Sequence, residues 1–381
     1  LARVRTVLLD LVTQGVLPGA VALVQHRGRT VLHEAVGLQR PANLAQPGLA
    51  VPAMAPDTVF RIYSMTKPIA SLVAMMLMEE GRLLLSHPVA RYLPAFAAQQ
   101  VYDPATGATT PAPREATVHD LLRHTAGLSY AWDLGTVPDA YRAARIGSRR
   151  HNNTELAAAL GPLPLVHAPG TCWEYSRATD VLGAVLEVIE GEPLGAILQR
   201  RVFGPLGMHD TGFSVPAAQQ HRLAEPFALD PQTGLKVALI DVTAPPVFES
   251  AGGGLVSTAR DYARFLQLML GRGTAPGPHG PVRLLGGATV DFMTADHLGS
   301  LPVAGDILPT GHGFGLGVAV RTASGLATRP GSAGQYSWSG LGGTFFFVDP
   351  AENLFAIILT QAPGQLRYLC ELYPALVYAA L

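Results

Sequence analysis

The chain is poor in cysteine and lysine and has no long apolar run and no run of one charge. Each shortage narrows what it can be. Two cysteines among 381 residues, Cys172 and Cys370, are too few for a disulfide framework and read as free thiols. They lean towards a cytoplasmic compartment. The opening Leu1-Ala2-Arg3 lacks a methionine, however, so a trimmed end or a removed periplasmic or secretory signal stays open. The longest apolar run, Ile69 to Met78, falls well short of a bilayer span and predicts a buried helix, not a membrane span. With a formal net charge of -1 and no basic or acidic run, neither nucleic acid nor an anionic membrane surface is an expected partner. A small molecule is. The 12 histidines are scattered, with His119 and His124 spaced wrongly for a helical zinc motif, so no metal is expected. The glycine clusters lack phosphate-loop spacing, so no nucleotide or other cofactor is implied. The oligomeric state is open.

Lysine is the most telling shortage. Only Lys67 and Lys236 occur, against 25 arginines, and Lys67 stands three residues after Ser64 in Arg61-Ile62-Tyr63-Ser64-Met65-Thr66-Lys67-Pro68. An amine can lose its proton and act as a base, which a guanidinium cannot.

What is present predicts a layered α/β (α+β) protein. A hydrophobic content of 48% supplies buried layers, and the length suggests two or three domains, or one domain with a large insertion. Leu1 to Gln14 carries apolar residues at helical spacing; Gly19–Gln25 and Thr30–Val36 then alternate with period two and read as a hairpin. Gly81 is the expected stop of the helix after Ser64. From about 85 to 199 short helical patterns alternate with loops. They include a capping box at Thr117-Val118-His119-Asp120 and a helix from Asp180 to Glu190 closed by Gly191. Further on, Thr258 to Asp261 opens a helix to Leu270, and the tract Gly273 to Pro281 reads as a surface loop. Gly313–Val320, Gly343–Val348 and Leu354–Gln361 read as strands, and Leu366–Leu381 as a closing helix. The expectation is an antiparallel sheet flanked by the N- and C-terminal helices. One α/β domain would comprise residues 1–84 and 200–381, with a mainly helical domain, 85–199, inserted and the active site between them.

A serine hydroxyl needs an adjacent base to become a nucleophile. Ser64 at a helix start, with Lys67 on the same face of the first turn, supplies that pair, and the helix start offers backbone N–H groups to a developing oxyanion. The tetrapeptide alone is equally compatible with an N-cap serine and a solvated lysine. The following run, however, is too apolar for a surface helix and puts Lys67 near a buried end, where desolvation lowers its pKa. Two further stretches are candidates: Tyr175 in Gly170-Thr171-Cys172-Trp173-Glu174-Tyr175-Ser176-Arg177, and Trp338-Ser339-Gly340-Leu341-Gly342-Gly343, placed just before a strand. By composition alone each also reads as core or turn. The usual G-x-S-x-G elbow is absent; Gly127-Leu128-Ser129-Tyr130-Ala131 lacks its last glycine.

In this order, Ser64-x-x-Lys67, Tyr175-Ser176 and Trp338-Ser339-Gly340 resemble the boxes of the serine β-lactamase and penicillin-binding-protein superfamily. Within it the chain is most similar to the family VIII carboxylesterases, relatives of class C β-lactamases. Supporting stretches are Leu121 to Leu128, Phe203-Gly204-Pro205-Leu206-Gly207-Met208, Gly252-Gly253-Gly254-Leu255 and Gly313-Phe314-Gly315-Leu316-Gly317. The resemblance implies a β-lactamase-like fold, with Ser64 as nucleophile and Lys67 and Tyr175 as general base and acid. The oxyanion hole would be the N–H groups of Ser64 and Leu341. It leaves open which of Lys67 and Tyr175 is the base, since their titrations are coupled.

Two departures from the lactamase pattern bear on the substrate. Those enzymes carry Lys-Thr-Gly in the third box, whereas this chain has Trp338, an apolar surface with one donor and no charge. Arg177 replaces their asparagine. The first departure favours neutral short to medium acyl esters over anionic lactams and the second counts against recognition of an acylamino side chain, with Trp338, Ser339, Gly340, Tyr130 and Trp132 as candidate substrate-binding residues. The alternatives are β-lactam or D-amino-acid amide hydrolysis, acyl transfer by the same machinery, and a catalytically silent penicillin-binding-like sensor.

Overall fold

Alternation of apolar side chains builds the centre of the molecule. In strand β1 (Gly19–His26), Ala20, Ala22 and Val24 point one way and Val21 and Leu23 the other, and all are buried. The sheet is therefore covered on both faces. The computed structural model describes residues 1–41, 52–132 and 134–381. Among them, β1 joins β2 (Arg29–Gly37), β3 (His312–Phe314), β4 (Ala319–Arg321), β5 (Tyr336–Gly340), β6 (Thr344–Asp349) and β7 (Leu354–Thr360) in one sheet. The strand order is β2-β1-β7-β6-β5-β4-β3, and every neighbouring pair is antiparallel. Pairing of β1 with β7, from Ala20 opposite Thr360 to His26 opposite Leu354, joins the first strand of the chain to the last.

Helix α1 (Ala2–Thr13) covers one face through Val4, Leu8 and Leu11. Five further helices matter for the site: α2 (Lys67–Glu79), α3 (Val118–Leu122), α4 (Ala178–Glu190), α5 (Ala259–Leu270) and α6 (Leu366–Tyr378). On the α1 side, α6 packs Leu369, Tyr373 and Val377 onto Phe345, Phe347 and Ile358. The Tyr373 hydroxyl lies 3.2 Å from the Leu23 carbonyl and 2.9 Å from that of Ile357, which ties the helix to two adjacent strands. The opposite face carries Phe346, Val348, Phe355 and Ile357 and meets α5 through Tyr262, Phe265 and Leu266. Helix α2 is buried from Lys67 to Met75 as the apolar run required, and α4 packs against both α2 and α3. Expected caps are present. Thr117 and Asp120 form a capping box, Thr258 accepts the Asp261 N–H, and Gly191 ends α4 at a φ of 75°.

Two local readings change. Gly313–Val320 is not one strand but the two short strands β3 and β4, reversed by a turn in which Gly315 N–H donates to Val318 O at 2.8 Å. Gly317 has a φ of 100° there, and a Cβ on it would stand 2.5 Å from Ser71 Oγ, so the turn needs glycine. The tract Gly273–Pro281 holds a small hairpin, Thr274–Gly277 paired with Gly280–Arg283. The Trp338 box stands just before a strand as expected, since Thr344 opens β6 directly after it, and its first three residues, Trp338 to Gly340, themselves end β5.

Candidate active site

Ser64 sits in a tight turn, Tyr63–Thr66, that runs directly into α2, so the nucleophile candidate precedes the α-helix by one turn. Tyr63 before it has a φ of 45°, a strained conformation for a bulky residue. Several contacts hold the turn in place. The Tyr63 hydroxyl accepts the Ile240 N–H at 3.0 Å, Tyr262 Oη donates to Met65 O at 2.9 Å, and the Leu255 N–H donates to Thr66 Oγ1 at 3.2 Å. From the sheet side, Thr344 Oγ1 reaches Ile62 O at 3.3 Å. Gly340 at the end of β5 is pressed so close that a Cβ there would stand 2.1 Å from the Ile62 carbonyl. Glycine is therefore what lets the third sequence box close on the first.

Lys67 is fully buried at the start of α2, and its amine makes three contacts. It lies 3.1 Å from Ser64 Oγ, 2.9 Å from Tyr130 Oη and 2.7 Å from the Gly252 carbonyl oxygen. Burial pulls its pKa from 10.5 down to about 7, with Asp180 opposing that shift and Arg177 adding to it. A buried amine that is half neutral near pH 7 can accept a proton from Ser64.

Tyr175, from the segment just before α4, is hydrogen-bonded to Ser64, and Trp338 Nε1–H donates to its hydroxyl oxygen at 3.1 Å. Burial raises the Tyr175 pKa despite both bonds, so the group rests as a neutral phenol. The Lys67 amine lies 4.5 Å from the centroid of the Tyr175 ring. A cation there would stabilise the ring and any charge on its oxygen.

Aromatic side chains complete the walls. Trp338 packs on Tyr175 with ring centroids 5.2 Å apart and meets Phe314 edge-on. His124, buried beneath Tyr175 at 4.9 Å, accepts the Ser176 N–H through Nδ1, and burial followed by the nearby Lys67 holds its pKa well down. Trp132 stacks flat on Tyr130 at 4.5 Å and is 60% exposed, which makes it a rim residue.

The turn, α4 and β5 thus bring Ser64, Lys67, Tyr130, Trp132, Tyr175 and Trp338 together. Leu341 begins the turn after Gly340, its side chain 58% exposed. Ser339 is the exception among the candidates. Strand alternation turns its side chain to the other face of the sheet, where it bonds the Cys370 thiol of α6, so it is not a wall of the site. Gly252 and Asp180 take part in the geometry although their residue types gave no separate signal. The run Gly252-Gly253-Gly254 was visible as a framework stretch, but a carbonyl acceptor for an amine leaves no sequence mark. Among the described residues, no group of three or more His, Cys, Asp or Glu is placed to hold a metal ion, and no helix is long and apolar enough to cross a membrane.

Comparison with known proteins turns this geometry into a family assignment. The family profile described as Beta-lactamase matches residues 4–381. The chain belongs to that family. An uncharacterized protein of Mycobacterium tuberculosis is 39% identical over 360 residues, covering 91% of this chain and 86% of the relative. Esterase EstB of Burkholderia gladioli is 33% identical over 367 residues, again 91% and 86%. Among solved structures, EstCE1, described as a hydrolase with promiscuous acyltransferase activity, superposes with a TM-score of 0.79 at 28% identity. It covers 96% of this chain and 94% of its own. Within the β-lactamase family the chain is a serine hydrolase of the family VIII esterase branch, with a β-lactamase-like fold.

Proposed function

We propose that the protein is a carboxylesterase that hydrolyses neutral, short to medium acyl esters through an acyl-enzyme on Ser64. The observation that carries this reading is the 3.1 Å contact between Ser64 Oγ and an amine whose pKa burial has lowered to about 7. Ser64 Oγ attacks the ester carbonyl carbon and its proton passes to Lys67 Nζ. The N–H groups of Ser64 and Leu341 receive the oxyanion. When the tetrahedral adduct collapses, the carbon–alkoxide bond breaks and Tyr175 Oη gives its proton to the departing alkoxide. The resulting phenolate is stabilised by the Trp338 N–H and by the Lys67 ammonium at its ring. It then takes a proton from the water that attacks the acyl-enzyme. Collapse of the second adduct expels Ser64 Oγ, to which Lys67 returns the first proton. The net reaction consumes one ester and one water and leaves both residues as they began.

The wall at Trp338 supports the choice of substrate. An indole packed among Tyr175 and Phe314 offers apolar area and its single donor is already used on Tyr175, so nothing on it pairs with a lactam carboxylate. The likeness to EstCE1 favours a second outcome of the same acyl-enzyme, transfer to an alcohol in place of water.

The decisive test is a panel of p-nitrophenyl esters from C2 to C12 beside nitrocefin, with intact-mass detection of the acyl adduct. Esters of short to medium chain are expected to turn over much faster than nitrocefin, and Ser64→Ala should lose both turnover and adduct. Wild-type turnover in Ser64→Ala, or nitrocefin hydrolysed as fast as the esters, defeats the proposal.

A further inference from the structure

Besides Ser64, the Lys67 amine has two partners, the Gly252 carbonyl and the Tyr130 hydroxyl, and both lead back to one ion pair. Asp180, 1% exposed in the first turn of α4, accepts the Gly252 N–H at 2.9 Å and Ser250 Oγ–H at 2.6 Å through the same oxygen. A Cβ on Gly252 would stand 2.8 Å from that oxygen, so glycine lets the loop lie flat on the carboxylate. The carbonyl of the same residue is the one that receives Lys67 at 2.7 Å. The second oxygen of Asp180 accepts Arg177 Nη1–H at 3.2 Å. The Arg177 guanidinium in turn lies 5.1 Å from the centroid of the Tyr130 ring, on whose hydroxyl Lys67 rests.

We propose that Asp180 and Arg177 are positioning residues for the Lys67 base: Asp180 clamps the Gly252 carbonyl onto the amine, Arg177 braces Tyr130, and together they aim the amine at Ser64. The pair neutralises itself, so it can hold the base without forcing a proton onto it. Neither residue touches the reacting atoms. This inference rests on the reading of Lys67 as the base given above.

Because the two charges are opposite, removing them separately has opposite effects on the base. Asp180 favours the ammonium and Arg177 opposes it. The other titratable groups around the amine are Tyr130, Tyr175 and His124. The first two are held as phenols by burial and the third as neutral imidazole, so they contribute no titration of their own near neutrality. Arg149 lies further out, within the field of Asp180 and Arg177. The rising limb of kcat/KM against pH therefore reports Lys67.

The experiment measures that limb with p-nitrophenyl butyrate for the wild type, Asp180→Asn, Arg177→Met and Arg177→Gln, together with intact-mass trapping of the acyl adduct. Asp180→Asn removes the anion and should shift the limb down by about 1 pH unit; both Arg177 variants remove the cation and should shift it up by about 1 unit. A merely structural role would lower activity and melting temperature but leave the limbs where they are. Limbs that stay put, or that move the same way in both directions of charge change, overturn the proposal. Should Asp180→Asn fail to fold, the partly exposed Arg177 decides alone, and an unshifted or lowered limb in its variants is fatal. If the wild type forms no adduct, or Ser64→Ala still forms one, the acyl-enzyme reading has failed instead. An adduct on Ser64 with unmoved limbs rejects the positioning pair only.

Discussion

A fully buried lysine is a costly group, and Lys67 shows what the cost supports. Its pKa of about 7 against an ordinary 10.5 means that, between those two pH values, the unfolded chain binds more protons than the folded one. Stability therefore rises with pH across that window, and the penalty is full below about 7. Lys67→Met should abolish turnover and raise the melting temperature relative to wild type, with a larger gain at pH 6 than at pH 10. A difference that is flat with pH, measured by calorimetry, would show that the amine does not titrate near neutrality. Tyr175→Phe should lower kcat by about 10² to 10⁴ if its hydroxyl moves protons. A loss below tenfold in steady-state assays would reduce it to a packing residue. At this scale the sequence was informative where chemistry dictates residue type. Ser64, Lys67, Tyr175 and Trp338 each carry a group that few other side chains supply. It was silent on Gly252, because a backbone carbonyl belongs to every residue. It misled on Ser339, whose direction depends on where β5 begins and hence on strand parity.

Among the elements, β5 and the turn at Ser64 have to meet, and Gly340 is the point of contact. Adding a methyl group there would drive a Cβ to 2.1 Å from Ile62 O and 2.4 Å from Thr344 Oγ1. Gly340→Ala should cost about 1–3 kcal/mol of stability, read from the urea midpoint, and lower kcat more than it raises KM, because the strand must back away from the Ser64 turn. Gly325→Ala, where a Cβ meets nothing within 4 Å, is the control and should change neither. Helix periodicity in α1, α2, α4 and α5 was readable because one apolar stripe, or an all-apolar run, decides the matter locally. The strands β3 and β4 were not separable. Their reversal rests on a glycine conformation and on Ser71 of a distant helix, neither of which alters the local apolar pattern.

For the molecule as a whole, the sheet is built from both ends of the chain, and its outer face is covered by the first and last helices. Removing 366–381 would strip Leu369, Tyr373 and Val377 from Phe345, Phe347 and Ile358 and leave the carbonyls of Leu23 and Ile357 without Tyr373. The shortened chain is expected to lose its cooperative thermal transition and to aggregate, as followed by circular dichroism and light scattering; a native-like melt would show that α6 is dispensable. This arrangement was legible from the sequence in outline. Alternating strands follow an amphipathic helix at one end and precede another at the other, and antiparallel pairing needs no crossover helices. Strand order was not legible, since period-two patterning says which face a residue takes but not which strand lies beside it. The shortage of lysine has a practical side as well. Lys236 is exposed while Lys67 is sealed, so an amine-directed label or support meets a single lysine on the folded chain. A second tagged lysine then marks a molecule in which the burial of Lys67 has come undone, and counting tagged lysines by mass counts unfolded chains.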